Sequence, residues 1–226
     1  MYDNIIAGMQ STTLVDYPDR VASILFCRGC DMHCPYCHNK ELLSYTSKDC
    51  MRTSAVMGLL SARSKLIDGV VISGGEPLIH DCIPELIRAI KARTRDDMLI
   101  KLDTNGQHPE RLRELLDERL VDYVAMDFKT TPERYAELGG DGDLVLKSAR
   151  LLNDSNVEHE FRMTCVADFV STDDIETVSR ITGDYPLYLQ TYVPPSPDLP
   201  YHGHSDETMH AVAEAANEAG TNVLVR

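Results

Sequence analysis

The sequence predicts an incomplete α/β barrel of six parallel strands, (β/α)6, with small N- and C-terminal additions. Three observations predict it. Short aliphatic runs alternate with segments of helical periodicity along most of the chain. Several of those runs stop abruptly at glycine-rich or polar motifs, as strands do at the ligand-binding face of such a barrel. The chain's 226 residues hold six βα units, whereas eight normally take about 250 residues. No linker or repeat is visible, so residues 1–226 are expected to form one domain.

The elements follow in order. Residues 5–15 alternate apolar and polar side chains and predict an N-terminal strand or hairpin leading into Asp16-Tyr17-Pro18. Val21 to Phe26 is the first barrel strand. A cysteine-rich loop follows, then a short helix near Glu41 to Tyr45. A second helix runs from Ser54 to Leu66, with Thr53 expected as its N-cap. Gly69 to Ser73 is a buried strand ending in Gly74-Gly75-Glu76-Pro77, followed by a helix over Pro84 to Arg93. Met98 to Asp103 is a strand ending in Asp103-Thr104-Asn105-Gly106. Pro109 opens a helix to Arg119, with Leu112, Leu115 and Leu116 on one face. Tyr123 to Phe128 is a strand ending in Asp127-Phe128-Lys129, and Thr131-Pro132-Glu133 reads as a helix start. Then come a helix from Asp143 to Leu152, a strand from Val157 to Val166, a helix from Asp173 to Ile181 and a strand from Leu187 to Val193. Pro194, Pro195, Pro197 and Pro200 stiffen the next loop. Ser205 caps a helix over Asp206 to Glu218, and Asn222 to Val225 closes the chain as a short strand.

Composition excludes several classes. At 43% hydrophobic and 26% charged, the chain is a folded globular protein and not a disordered one. No apolar run is long enough to span a bilayer, and Met1-Tyr2-Asp3-Asn4 carries no basic signal-peptide start. The net charge of −14 argues against nucleic-acid or anionic-membrane partners, which favour a basic patch. An odd seven cysteines argue for a reducing cytoplasm rather than a disulfide scaffold. Cys50, Cys82 and Cys165 are scattered singly and read as plain thiols.

The chemistry is concentrated in Cys30-Asp31-Met32-His33-Cys34-Pro35-Tyr36-Cys37-His38-Asn39. Cys30, Cys34 and Cys37 are spaced C-x3-C-x2-C on one loop. A 4Fe–4S cluster normally takes four cysteines; three leave one iron open, the property that separates a catalytic metal site from a closed structural one. Cys27 and Cys30 with Cys34 and Cys37 also form two C-x2-C pairs, the pattern of a structural zinc site or a closed cluster. Zinc pairs of this kind are usually separated by about fifteen residues, whereas three separate these, and Cys27 continues a strand.

Cys30, Cys34, Tyr36 and Cys37 resemble the C-x3-C-aromatic-C signature of the radical S-adenosylmethionine (SAM) enzymes. Val15-Asp16-Tyr17-Pro18 through Phe26, Gly29-Cys30 and Cys34 to Asn39 resemble more narrowly the glycyl-radical activating enzymes, above all the anaerobic ribonucleoside-triphosphate reductase activating proteins. The resemblance runs in pieces from about Asp16 to Pro194. It implies that Cys30, Cys34 and Cys37 hold the catalytic 4Fe–4S cluster, that Tyr36 and His38 belong to the cofactor site, and that Gly74, Gly75 and Glu76 hold the methionyl amino group of SAM. It implies that Asp127 and Lys129 bind SAM ribose and carboxylate, with Arg162 and Gln190 as weaker carry-overs, and that Asp103, Thr104, Ala125 and Asp127 bind a monovalent cation.

The expected partners are a glycyl-radical enzyme, foremost an anaerobic ribonucleotide reductase, and a flavodoxin- or ferredoxin-type electron donor. The alternatives are a radical SAM enzyme of a small molecule, such as a deazaguanine synthase, and a non-catalytic iron–sulfur or zinc module. The residues themselves support convergence without any family name, because each motif follows a strand and strand C-termini share one face of a parallel barrel. They also leave bland readings open: Gly74-Gly75 as a simple turn, Asp103 as a cap, Asp127 and Lys129 as a mutual ion pair at a strand end, and Arg162 as a surface residue. His33, His38 and His80 read as polar loop residues rather than metal ligands, and the run Tyr201-His202-Gly203-His204 could bind a metal adventitiously but is given no catalytic role.

Overall fold

The computed structural model describes residues 4–226. Met1, Tyr2 and Asp3, on which the reading of the N-terminus partly rests, lie outside the described residues. The fold is α/β, with an open sheet whose strands, among the described residues, lie side by side in chain order. The chain divides into two compact units: residues up to Asp31 with Asn39–Thr104 and Glu110–Val124, and Met32–His38 with Asn105–Pro109 and Ala125–Arg226.

The first unit carries β1 (Ile6–Thr13), β2 (Ala22–Cys27), β3 (Gly69–Gly74) and β4 (Leu99–Thr104). β1 pairs antiparallel with β2, and β2, β3 and β4 pair in parallel. Nearly every β2 and β3 side chain is buried, which is why these strands read as continuous apolar runs rather than alternating ones. The register sets Ile24, Val71 and Lys101 in one row. Ile24 and Val71 pack with Tyr17 and Ala22, and Phe26, Leu99 and Tyr123 lie against that cluster. The helices are α1 (Lys40–Ser44), α2 (Thr53–Arg63) and α3 (Ile83–Arg93), with α4 (Pro109–Asp117) after β4.

β5 (Tyr123–Phe128) leads into the second unit, which holds α5 (Gly142–Asn153), β6 (Glu158–Cys165), α6 (Thr172–Thr182), β7 (Leu187–Thr191), α7 (Asp206–Glu218) and β8 (Val223–Val225). β6, β7 and β8 pair in parallel. Ser205 caps α7 by accepting from the Thr208 N–H, and Ser171 with Asp174 forms a reciprocal capping box on α6.

Two expectations are corrected. Thr53 is not the cap of α2: Arg52 takes that position in an extended conformation, and Thr53 is already the first helical residue. The start at Thr131 leads not into an α-helix but into a seven-residue 3-10 run, Pro132–Leu138, ended by Gly139 at φ +77°. The backbone is crowded there, because a Cβ on Gly142 would lie 2.0 Å from the Pro132 carbonyl oxygen.

Candidate active site

The loops after β2 and β3 are stitched together through their backbones. Gly75 N–H donates to the Cys27 carbonyl at 2.9 Å, and Glu76 N–H donates to the Gly29 carbonyl at 2.8 Å. The approach is so close that a Cβ on Gly75 would lie 1.8 Å from Gly29 O. Gly74 sits at φ +118°, and its carbonyl accepts from Asn39 Nδ2 at 3.4 Å. Glycine is therefore required here by the neighbouring loop, a reason sequence reasoning had assigned to a ligand. Glu76 is fully buried. Its Oε1 accepts from the Leu78 N–H and from the Thr104 hydroxyl, each at 2.9 Å, so the ends of β3 and β4 are joined through two residues that the sequence had singled out separately.

On β4 the Asp103 carboxylate pairs with Lys101. Lys101 is 1% exposed, and its ammonium lies 5.9 Å from the centre of the Tyr123 ring. Sequence reasoning missed this lysine. The signal was present: Lys101-Leu102-Asp103 has the two-residue spacing that puts both side chains on one face of a strand, as in Asp127-Phe128-Lys129.

In the second unit the Asp127 carboxylate is gripped on both oxygens. Arg162 Nε donates to Oδ1 at 2.7 Å and Lys129 Nζ to Oδ2 at 2.9 Å. Burial would raise the Asp127 pKa, but the Arg162 and Lys129 cations prevail and hold it well below the usual carboxylate range. The same contest at Lys129 ends with its pKa raised: burial lowers it, and Asp127, above all, raises it further. The Lys129 peptide is bracketed by two phenols. Tyr36 donates to its carbonyl at 3.1 Å, and its N–H donates to the Tyr135 oxygen at 3.0 Å. Arg162 is thus no surface residue but is tied into a strand-end cluster with Asp127 and Lys129. Tyr36 packs on Phe169 and Tyr192, with ring centres 5.1 and 6.2 Å away.

His38 stands apart from that cluster, bonded through Nε2 to the Val193 carbonyl at 2.8 Å and edge-on to Tyr192. Gln190 accepts from the Thr164 hydroxyl at 3.4 Å.

The thiols differ sharply. Cys27 is fully buried, and that burial pushes its pKa far up, so it remains a thiol. Cys30, Cys34 and Cys37 are half-buried and free of disulfides. Cys30 Sγ lies 3.9 Å from Asp31 Oδ1, and Cys37 N–H turns back onto the Cys34 carbonyl at 3.1 Å. Burial raises the Cys34 pKa, while Lys129 is the main influence opposing that rise. Among the described residues, no group of three or more His, Cys, Asp or Glu side chains is arranged to hold a metal ion.

A family model described as the radical SAM superfamily matches residues 24–180. The chain belongs to the radical SAM superfamily. A Methanocaldococcus jannaschii protein assigned as a glycyl-radical enzyme activating enzyme is 33% identical over 199 residues, 84% of this chain and 80% of that protein. A GTP 3',8-cyclase of Chlorobaculum tepidum is 32% identical over 103 residues, 45% of this chain and 30% of that one. Among solved structures, a radical SAM methyltransferase from Sphaerobacter thermophilus superposes with a TM-score of 0.72 at 17% identity, over 95% of this chain and 68% of that one. A domain of a pyruvate-formate lyase-activating enzyme from Bacteroides vulgatus gives 0.56 at 19% identity, over 70% of this chain and 98% of that one. At these identities the structural likeness shows the fold.

Radical SAM membership implies a 4Fe–4S cluster and SAM as cofactors, and thiols are the donor chemistry that such a cluster takes. Cys30, Cys34 and Cys37 are half-buried thiols in no disulfide. Cys27, the fourth thiol that a zinc or closed-cluster reading needs, is sealed in the core as a small apolar residue. No helix among the described residues is long and apolar enough to cross a membrane.

Proposed function

We propose that this radical SAM protein is an activase that takes a hydrogen atom from a glycine of a partner enzyme, with an anaerobic ribonucleotide reductase as the foremost partner. The observation that carries the reading is the 33% identity to the Methanocaldococcus jannaschii relative across most of both chains. It is joined by Asp16-Tyr17-Pro18, Cys34-Pro35-Tyr36-Cys37-His38-Asn39 and Asp103-Thr104-Asn105-Gly106 in this one sequence.

On this reading residues 1–226 work as one radical SAM domain in an anaerobic cytoplasm, with a flavodoxin- or ferredoxin-type donor. Cys30, Cys34 and Cys37 would hold the cluster through three thiolates. When bound, the cluster would supply the electron for reductive cleavage of SAM. Gly74, Gly75 and Glu76 receive the methionyl amino group. Buried Glu76 is held in one orientation by Leu78 and Thr104, which fixes the strand-end turn that carries it. Lys129 and Arg162 face the methionyl carboxylate and ribose, and Asp127 fixes both cations while keeping its own charge. Tyr36 orders the loop between Cys34 and Cys37 by anchoring it to the Lys129 carbonyl. A glycine is a fitting target because it has no side chain to keep its α-carbon from the radical.

The test mixes reduced, reconstituted protein, SAM and the candidate reductase without oxygen and records an electron paramagnetic resonance spectrum. A glycyl doublet with one 5′-deoxyadenosine per radical is expected. Partial matches to GTP 3',8-cyclases and to a 7-carboxy-7-deazaguanine synthase keep small-molecule chemistry as the second reading. SAM cleavage without a radical on any glycyl-radical enzyme would move the assignment there. The short C-x3-C spacing argues against the deazaguanine-synthase form of that reading, since those enzymes usually carry a longer one.

A further inference from the structure

The family resemblance implies a monovalent cation at Asp103, Thr104, Ala125 and Asp127, and the charges this chain supplies do not fit one. Each carboxylate, taken within its own unit, already has a tethered cation. Asp127 has one on each oxygen, Arg162 on Oδ1 and Lys129 on Oδ2. Asp103 Oδ1 is taken by the Lys101 ammonium. Lys129 and Arg162 belong to the same implied set as the cation at Asp127, but Lys101 does not: a potassium or sodium ion brought to Asp103 meets an ammonium already in contact with it, and like charges at that range repel.

Lys101 is the more telling residue, because its position calls for something else. It stands in register with Val71 and, beyond it, Ile24, in a row where both neighbours are apolar and buried. It is itself 1% exposed. A buried ammonium is tolerated only when paired, and what it pairs with here is the carboxylate of the expected cation site. Tyr123, whose ring lies 5.9 Å from Nζ, offers a further electron-rich face to the same charge.

We propose that Lys101 is a tethered replacement for the monovalent cation: its ammonium supplies the positive charge at Asp103, so that SAM binds without potassium or sodium. This rests on the reading of the site as a SAM site, and it is independent of which glycine or small molecule receives the radical. In this role Lys101 is a positioning residue, acting on SAM through Asp103 and not by contact.

The experiment uses the full reconstituted chain in buffers whose only cation is tetramethylammonium, too large for a carboxylate cage, with and without excess potassium chloride. SAM affinity is measured by equilibrium dialysis, and thallium(I), a potassium mimic, is followed by its own magnetic resonance. Wild type is expected to bind SAM within about twofold with or without potassium and to bind no thallium specifically. Lys101→Met is expected to bind SAM at least about tenfold more weakly without potassium, to regain affinity when potassium is added, and to acquire a thallium site. Lys101→Arg keeps a charge and should stay indifferent to potassium.

A potassium requirement or a specific thallium site in wild type overturns the proposal, whatever the variants do. So does a Lys101→Met protein whose affinity stays at the wild-type value, or falls and is not restored by potassium. Where Lys101→Met does not fold, Lys101→Gln takes its place. If wild type binds no SAM in any buffer, the SAM reading itself fails; if it binds SAM only with potassium, the Lys101 proposal alone fails.

Discussion

At the end of β4 one ammonium faces one carboxylate, and the ammonium is the deeper of the two: the side chains of Lys101 and Asp103 are 1% and 14% exposed. At the end of β5 two cations, Lys129 and Arg162, grip the single carboxylate of Asp127, and all three side chains keep some contact with solvent, at 21%, 14% and 24%. The first arrangement pairs one cation with one carboxylate and is nearly closed. The second brings two cations to one carboxylate, and it is more open to solvent. The thiols divide in the same way, with Cys27 enclosed and Cys34 half-buried near Lys129. Burial and charge balance thus separate groups that hold the protein together from groups left available for a ligand, although both kinds occupy strand ends with similar sequence spacing.

The largest test of that division concerns the thiols. Cys34→Ala, and equally Cys30→Ala or Cys37→Ala, should abolish the brown charge-transfer absorption after anaerobic reconstitution. Cys27→Ala should retain it and cost only about 1 kcal/mol of stability, as the loss of one buried heavy atom does. If iron is lost with Cys27, the site has four protein ligands and no open iron. The next effect in size is electrostatic. Because the folded-state pKa of Asp127 is depressed, its contribution is present in full above the ordinary aspartate value near 3.9 and is lost as pH falls through the lower folded value. Asp127→Asn should therefore be less stable than wild type at neutral pH, and the gap should narrow as pH drops below about 4. Urea midpoints across that range read it, and a gap independent of pH would show that the cations do not depend on this charge. The smallest effect lies in the closed region. Thr104→Val leaves buried Glu76 without its hydroxyl donor and should cost about 1–3 kcal/mol; a melting temperature equal to that of wild type counts against a structural role for that bond.

Most of the strand and helix order was legible because parallel strands buried on both faces are written as uninterrupted apolar runs, and the turns between them carry proline, glycine and capping residues. β5 and α7 lie where periodicity and caps put them. Pro132 misled because a proline after Thr131 opens a 3-10 run as readily as an α-helix, and tertiary crowding at Gly142 is not visible in sequence. The candidate residues were legible as motifs but not as partners. Nothing local says that Glu76 meets Thr104 or that Arg162 meets Asp127, since those contacts join separate strands. Lys101 was overlooked because a lysine is read as solvent-facing by default, although its spacing from Asp103 was open to view.

The backbone bonds from Gly75 and Glu76 to Cys27 and Gly29 bear on how this chain can be re-engineered. The cysteine-bearing loop is not a portable cassette. Its first half is shaped by two peptide groups that lie nearly fifty residues downstream, and the Asn39 side chain at its end reaches the carbonyl of Gly74 just before them. A graft of residues 27–39 onto a foreign barrel would arrive without its template unless Gly74, Gly75 and Glu76 travelled with it. Conversely, substitution of an exposed loop side chain such as His33 leaves these backbone bonds intact, whereas the three cysteines have no such freedom.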